Sequence, residues 1–341
     1  MMVHNLIAAC CVMLLAASIT GCADPQVYNK SDYNFVMRGD KELSNTTLNG
    51  AELANVNLED ANLTNADLRN ANLENANLIG AILTGANLEG ANLKNAMMNG
   101  ANLTWADLRG TNLTNVNLTK AKMARVNLAN AILDFIHLKG AYLSKADLTG
   151  TNLKNINLNG SDLLGACMNG ANLENADLAG AEISWATLQK VNLKKTNLAA
   201  AKLSFADLTG ANLLWANIEG ADMKFSCLKD AILEGAKLKG VDLNSADVRG
   251  ANLFEANLED AKMQYANLMN VNLRDANCTR INLQGASLIR ADLSNVNLKN
   301  ANLANADFFT TNLNGAKIDR RWEKFLERQK VLGHDNILWI D

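Results

Sequence analysis

Three histidines and six cysteines are the side chains in this sequence best suited to metal or nucleophile chemistry. Their spacing argues against both. His4, His137 and His334 are scattered, and none has a second ligand at a separation typical of a metal site. No nucleophile–base constellation, phosphate-binding loop or dinucleotide fingerprint is present. The 35 Asp and Glu are balanced by 32 Lys and Arg, and many of them fall in sign-alternating ladders, which is surface electrostatics rather than acid–base machinery. The residues therefore predict a protein without catalytic residues, cofactor or metal.

Cys22 carries a different chemistry. It follows the 14-residue apolar run Leu6–Ile19, which is too short to span a bilayer comfortably but suits a secretory signal. Ile19-Thr20-Gly21-Cys22 resembles a bacterial lipobox. That resemblance implies removal of residues 1–21, lipidation of Cys22 and attachment to a membrane of the bacterial cell envelope, facing the periplasm or the surface. Several acyl chains, at about 0.8 kcal/mol per buried CH₂, would hold the protein firmly. No Lys or Arg occurs in Met1–Asn5, and Thr20 is not the commonest residue at its position, so a plain signal peptide or an uncleaved anchor is the competing reading. Cys10 and Cys11 would leave with the signal. Cys167 and Cys227 share an outward position but stand about 14 Å apart, too far for a disulfide. Cys278 replaces an inward Leu and should be a buried thiol.

The elements that would position these residues follow from one pattern. From Thr46 to Arg320 the chain reads as 55 consecutive pentapeptides, with a degenerate one at Lys41–Asn45. Position three is mostly Leu, and position one mostly Ala. Five residues rotate a helix by about 140° beyond a full turn, so no apolar helical face accumulates. In a continuous strand the odd period would send successive Leu to opposite faces. The chain must turn once per repeat. Position five holds 19 of the 22 Gly, and Asn is its commonest alternative, so that is where the turn requires positive φ. Charges at position four set the size of the coil. At a lag of 20 residues nine charged pairs are opposite and one is like; at 15 the split is two and six, and at 25 it is two and five. Neighbouring rungs favour opposite charges, so one coil holds 20 residues and four edges. Asp134–Lys154–Glu174–Lys194 and Glu219–Lys239–Glu259 are the clearest expected runs.

The phrase A-(D/N)-L-x-x, in register from Ala51 to Arg320, resembles the pentapeptide-repeat family. The resemblance implies an all-β fold: a right-handed quadrilateral β-helix with positions one and three inward, as a rod of roughly 14 coils and 65 Å. Residues 22–40 read as a tether and N-terminal cap, in which Tyr33, Phe35 and Met37 alternate as a half-buried strand would. Residues 41–320 form the solenoid, and 321–341 a C-terminal helix and tail. Trp322, Phe325 and Leu326 fall at i, i+3 and i+4, the stripe of a short α-helical cap; a homodimer contact through this end is the alternative.

Among the outward residues, one edge column carries Trp105, Trp185, Phe205, Phe225 and Tyr265 at position five, five of the 11 aromatics in the repeats. Phe135, Trp215 and Phe254 lie on another edge. Such a strip either stacks to stabilise neighbouring corners or docks a protein or polymer partner. The combined reading is a non-enzymatic, lipid-anchored scaffold that binds a partner and the membrane. Family members that mimic DNA and bind topoisomerases supply an alternative, and a secreted effector-like binder another. A net charge of −3, six acids against six bases on the edge from Glu59 to Arg320, and export all disfavour DNA mimicry. The lack of a basic stripe likewise disfavours nucleic acid as a partner.

Overall fold

The computed structural model describes residues 28–341. From Glu42 onward the chain forms parallel bridges with the residue 20 positions later, Glu42 with Asn62 and Thr47 with Asp67, so four short edges complete each coil. The degenerate repeat at 41–45 is thus the first true edge. Positions one and three point inward and are almost wholly buried, as in Ala171 and Leu173. Position five takes positive φ at every corner from Asn45 to Gly315, 67° at Gly80 and 58° at Asn175, whereas Arg320, which the repeat count also puts at position five, opens a 3₁₀ turn instead. The position-one N–H closes each corner by donating to the carbonyl three residues earlier, as Ala51 does to Leu48 at 3.0 Å.

The Asn or Asp at position two has a structural reason. Its Oδ1 accepts from the N–H of position four, as Asn92 does from Lys94 at 3.2 Å. Where the residue is Asn, its Nδ2 also donates to the side chain one rung below, as Asn92 does to Asn72 at 3.2 Å. An Asn side chain therefore secures both the corner and the stack, whereas Asp secures the corner and can only accept from the Asn above, as Asp177 does from Asn197.

Both ends depart from expectation. Residues Lys30–Arg38 form an α-helix (α1), not an alternating strand. The Asn29 side chain caps its start by accepting from Ser31 N–H, and Gly39 ends it in the left-handed conformation. Val36 is buried, while Phe35 and Met37 are exposed. At the other end, Lys317–Asp319 (β1) precedes a single four-residue α-helix, Glu323–Leu326 (α2), flanked by 3₁₀ turns. The chain then rejoins the ladder: Leu332 bridges Asn312, and Leu338–Ile340 (β2) pairs in parallel with β1. The C-terminal cap is therefore mostly a partial extra rung, and only α2 is α-helical.

The ladder breaks once between its first coil and the cap. Bridges expected between Ile132 and Asn152, and between His137 and Asn157, are missing, although Tyr142–Asp162 and Asp147–Cys167 are intact. The coil opens there as a wedge along two adjacent edges. Crowding inside explains the opening. Position one on this column reads Val116, Ile136, Ile156, three β-branched residues stacked at about 4.8 Å where Ala is usual. No other inward column stacks such residues consecutively. Ile136 and Ile156 are 8% and 7% exposed, while Ile281, flanked by Ala261 and Ala301, is fully buried.

Identical truncations at these sites should therefore differ. Ile281→Ala should cost about 2–5 kcal/mol, as a core deletion does. Ile156→Ala should cost less than half as much, because relief of crowding offsets the lost burial. Denaturant midpoints that fall equally for both variants would refute crowding as the cause of the wedge.

Candidate interaction surface

The expected aromatic column exists, and each ring is mounted on a left-handed corner. Position-five φ is 64° at Trp105, 62° at Trp185 and Phe205, 56° at Phe225 and 59° at Tyr265. Bulky residues pay for that conformation where Gly would not. Three of the rings stack continuously. Trp185 and Phe205 lie 4.2 Å apart at 8°, and Phe205 and Phe225 4.9 Å apart at 9°. They nonetheless stay open to solvent, at 61% for Trp185, 43% for Phe205 and 53% for Phe225.

The other two members stand apart. Arg125 lies over the Trp105 ring at 4.3 Å, a cation–π contact. Tyr265 is separated from the stack by Ser245 and leans towards Gly285, where an added Cβ would meet the Tyr265 ring at 2.7 Å. The column is thus a three-ring platform with two outliers rather than one strip. On the other edge, Lys194 and Lys195 both approach Trp215 at 5.5 Å, and Arg274 approaches Phe254 at 5.8 Å.

Charge ladders run along the same outer surface. Opposite charges 20 residues apart pair at Arg109–Glu89 and Lys154–Glu174, both 3.2 Å, and at Lys239–Glu259, 3.3 Å. The expected runs are shorter than the sequence implied. Lys154 pairs with Glu174 but no ion pair joins it to Asp134 across the wedge, and Lys239 pairs with Glu259 but not with Glu219. A second arrangement was not anticipated: Asp at position two with Arg at position four, in Asp67–Arg69, Asp107–Arg109 and Asp247–Arg249. The guanidinium hydrogen bonds hold all three carboxyls below the usual carboxylate range. Arg280 likewise clasps Glu259 and Asp260 and lowers both.

Among the described residues no group of His, Cys, Asp and Glu could hold a metal ion. Cys167 and Cys227 are free and half-buried, each 3.2 Å from a Thr hydroxyl, Thr149 and Thr209. Cys278 is buried, and burial pushes its thiol up to about 12. Cys22 and the apolar run before it lie outside the described residues. Trp322, Phe325 and Leu326 face the last coil of their own rod. Leu326 is fully buried, Phe325 meets Phe308 edge-on at 6.3 Å, and Trp322 donates to the Ala301 carbonyl at 3.1 Å. These three side chains cap the chain's own ladder, with Trp322 and Phe325 remaining half-buried.

The wedge also lies on this surface. Leu133, Asp134, Phe135, Ile136, His137, Asn152, Lys154 and Ile156 are among the residues lining a cleft of about 610 Å³. Its signal in the sequence is inward, in the stacked β-branched residues at 116, 136 and 156.

Two measurements check this surface. Alkylation with iodoacetamide near pH 8, followed by peptide mapping, should label Cys167 and Cys227 and spare Cys278 until denaturant is added; native labelling of Cys278 would contradict its burial. An NMR titration should place Asp247 below the ordinary Asp value of about 3.9, and Arg249→Gln should return it. Because the folded value is the lower one, the pair's contribution to stability is present above the unfolded pKa. It fades as pH falls through the folded one. An Asp247 that titrates normally in both proteins would mean the pairing does not persist in solution.

Comparison with known proteins follows the same repeats. The model of pentapeptide repeats matches in overlapping segments from residue 42 to 194 and again from 196 to 315. No curated protein matches the chain. Among solved structures, HetL, a pentapeptide repeat protein involved in heterocyst differentiation regulation from Nostoc, is 28% identical over 69% of this chain and 90% of its own, with a TM-score of 0.30. A pentapeptide repeat protein of the Arabidopsis thaliana thylakoid lumen is 30% identical over 32% of this chain and 68% of its own, with a TM-score of 0.19. A plasmid-mediated fluoroquinolone resistance protein is 18% identical over 57% of this chain and 90% of its own, with a TM-score of 0.26. The repeat match spans most of the chain, and its period, inward Leu and four-edged coil agree with the structure: the chain belongs to the pentapeptide-repeat family.

Proposed function

We propose that this protein is a non-enzymatic scaffold, a right-handed β-solenoid rod lipid-anchored through Cys22 in a bacterial cell envelope, which presents its outer ladders to a protein or polymer partner. The observation that carries the reading is the stacked, solvent-open platform of Trp185, Phe205 and Phe225. Most other corners close with Gly or Asn, so aromatic rings are not needed to turn the chain. Stacking contributes about 0.5–1.5 kcal/mol per pair, but left-handed backbone at a bulky residue offsets part of that. Large apolar groups left in water promote association and are a liability unless something covers them. Topoisomerase binding through DNA mimicry fits less well, because the ladders pair acids with bases instead of presenting one sign of charge.

Two experiments separate the parts of this reading. Metabolic labelling with an alkyne palmitate should tag the wild type and miss Cys22→Ser; equal labelling would remove the anchor. A Phe205→Ser, Phe225→Ser double variant should lose partner capture from membranes while its melting temperature changes little. Intact capture with a markedly less stable rod would make the platform purely structural.

A further inference from the structure

We infer that the wedge between residues 131–140 and 151–160 is a strand-acceptor site, built to take a peptide segment of a partner that turns once per five residues as the chain's own edges do, with apolar side chains at positions one and three of each five. In the intact ladder, the position-three N–H donates upward to the next coil and the position-two N–H donates downward. Leu113 donates to Ile132 at 2.8 Å, and Asn172 to Thr151 at 2.9 Å. In the wedge both sets are unused. Among the described residues, the N–H groups of Leu133 and Leu138 and of Phe135, a position-five donor that points the same way, on the lower coil, and of Asn152 and Asn157 on the upper coil, have no partner. The carbonyls they would meet across the gap, those of Asn152, Lys154 and Asn157 above and of Ala131 and Ile136 below, accept no backbone hydrogen bond among the described residues.

A sheet edge of this kind is a template for another backbone. Here two such edges face one another. The donors and acceptors recur at the spacing of a polypeptide, which a sugar chain or a lipid does not match. Between them lies a floor of Leu133, Ile136, Leu153 and Ile156 in a cleft of about 610 Å³, with Phe135, 81% exposed, at the rim. Inward side chains of an added strand would meet that floor as position-one and position-three residues do elsewhere. On the far side of the coil the ladder stays closed, with Leu143 donating to Asp162 at 2.7 Å and Leu148 to Cys167 at 2.7 Å. The wedge therefore has a bonded hinge side and an open side. It is distinct from the aromatic platform, so either proposal can fail without the other.

The test uses the full chain and a fluorescein-labelled peptide, Ala-Asn-Leu-Lys-Asn-Ala-Asn-Leu, which copies the chain's own repeat phrase. In the free protein, hydrogen exchange at the amides of Leu133, Leu138, Asn152 and Asn157 should be at least about tenfold faster than at Leu113 and Asn172. Saturating peptide should slow it. Anisotropy should report saturable binding, weakened at least tenfold when alternate peptide nitrogens are methylated, since the methyl groups remove donors and not side chains. An Ile136→Ala, Ile156→Ala double variant, in which relief of crowding lets the ladder close, should bind at least tenfold more weakly with its circular dichroism unchanged. Seam amides as slow as their neighbours, absence of saturable binding, or equal binding of the methylated peptide would each overturn the proposal. The methylated peptide decides the matter even if the double variant fails to fold.

Discussion

Everything in this rod depends on the stacking of one coil on the next at a 20-residue interval. A five-residue edge is too short to be stable alone, and its backbone groups find partners only above and below. Leu173 shows the arrangement: its N–H donates to Asn192 at 2.7 Å while its side chain is sealed inside. Because each coil touches only its neighbours, the structure is close to one-dimensional, and its stability is a sum of local steps. The physical questions then concentrate where a step is missing, at the two ends and at the wedge.

The ends show how unpaired groups are handled. At the start, α1 covers the first coil: Asn29 N–H donates to Thr47, and the Asp32 carboxylate accepts from Thr47 N–H at 2.7 Å. At the finish, side chains do the work that a further coil would do. The Asp319 carboxylate accepts from Asn300 N–H, Gln329 accepts from Phe308 N–H at 3.3 Å, and Arg321 and Trp322 both donate to the Ala301 carbonyl. Buried backbone groups are costly to leave unmade, and the caps supply their partners residue by residue.

The repeating part of this was legible in the sequence because it is written many times. The period, the inward Leu, the left-handed position five and the four-edged coil all follow from counting. Bridges from Glu42 onward, the buried Leu column and positive φ from Asn45 to Gly315 bear them out. The caps are written once each, and there local chemistry overrode the alternation of Tyr33, Phe35 and Met37: Asn29 and Gly39 end-stop a helix that buries Val36 instead. The helical stripe of Trp322, Phe325 and Leu326 was found, but pairing of Leu338–Ile340 with β1 was not, since three apolar residues in a tail do not specify a strand until an edge is present to receive them. Of the aromatic column, its register was readable. Its division into a stacked trio, a cation–π pair and a lone tyrosine depended on what sits one rung away.

The wedge marks the limit of reading a repeat position by position. Ile136 is acceptable at position one, and so is Ile156; each obeys the pattern by itself. The conflict exists only between them, across a single 4.8 Å step, and with Val116 below. A solenoid converts such a pairwise clash into a local opening because no distant contact is available to resist it. The same property confines the damage. The edges from 141 to 150 keep their bonds to 161–170, and the stack is regular again at Asn152–Asn172. An architecture whose coils couple only to neighbours can therefore hold one open step inside an otherwise closed ladder, and two side chains facing inward suffice to place it.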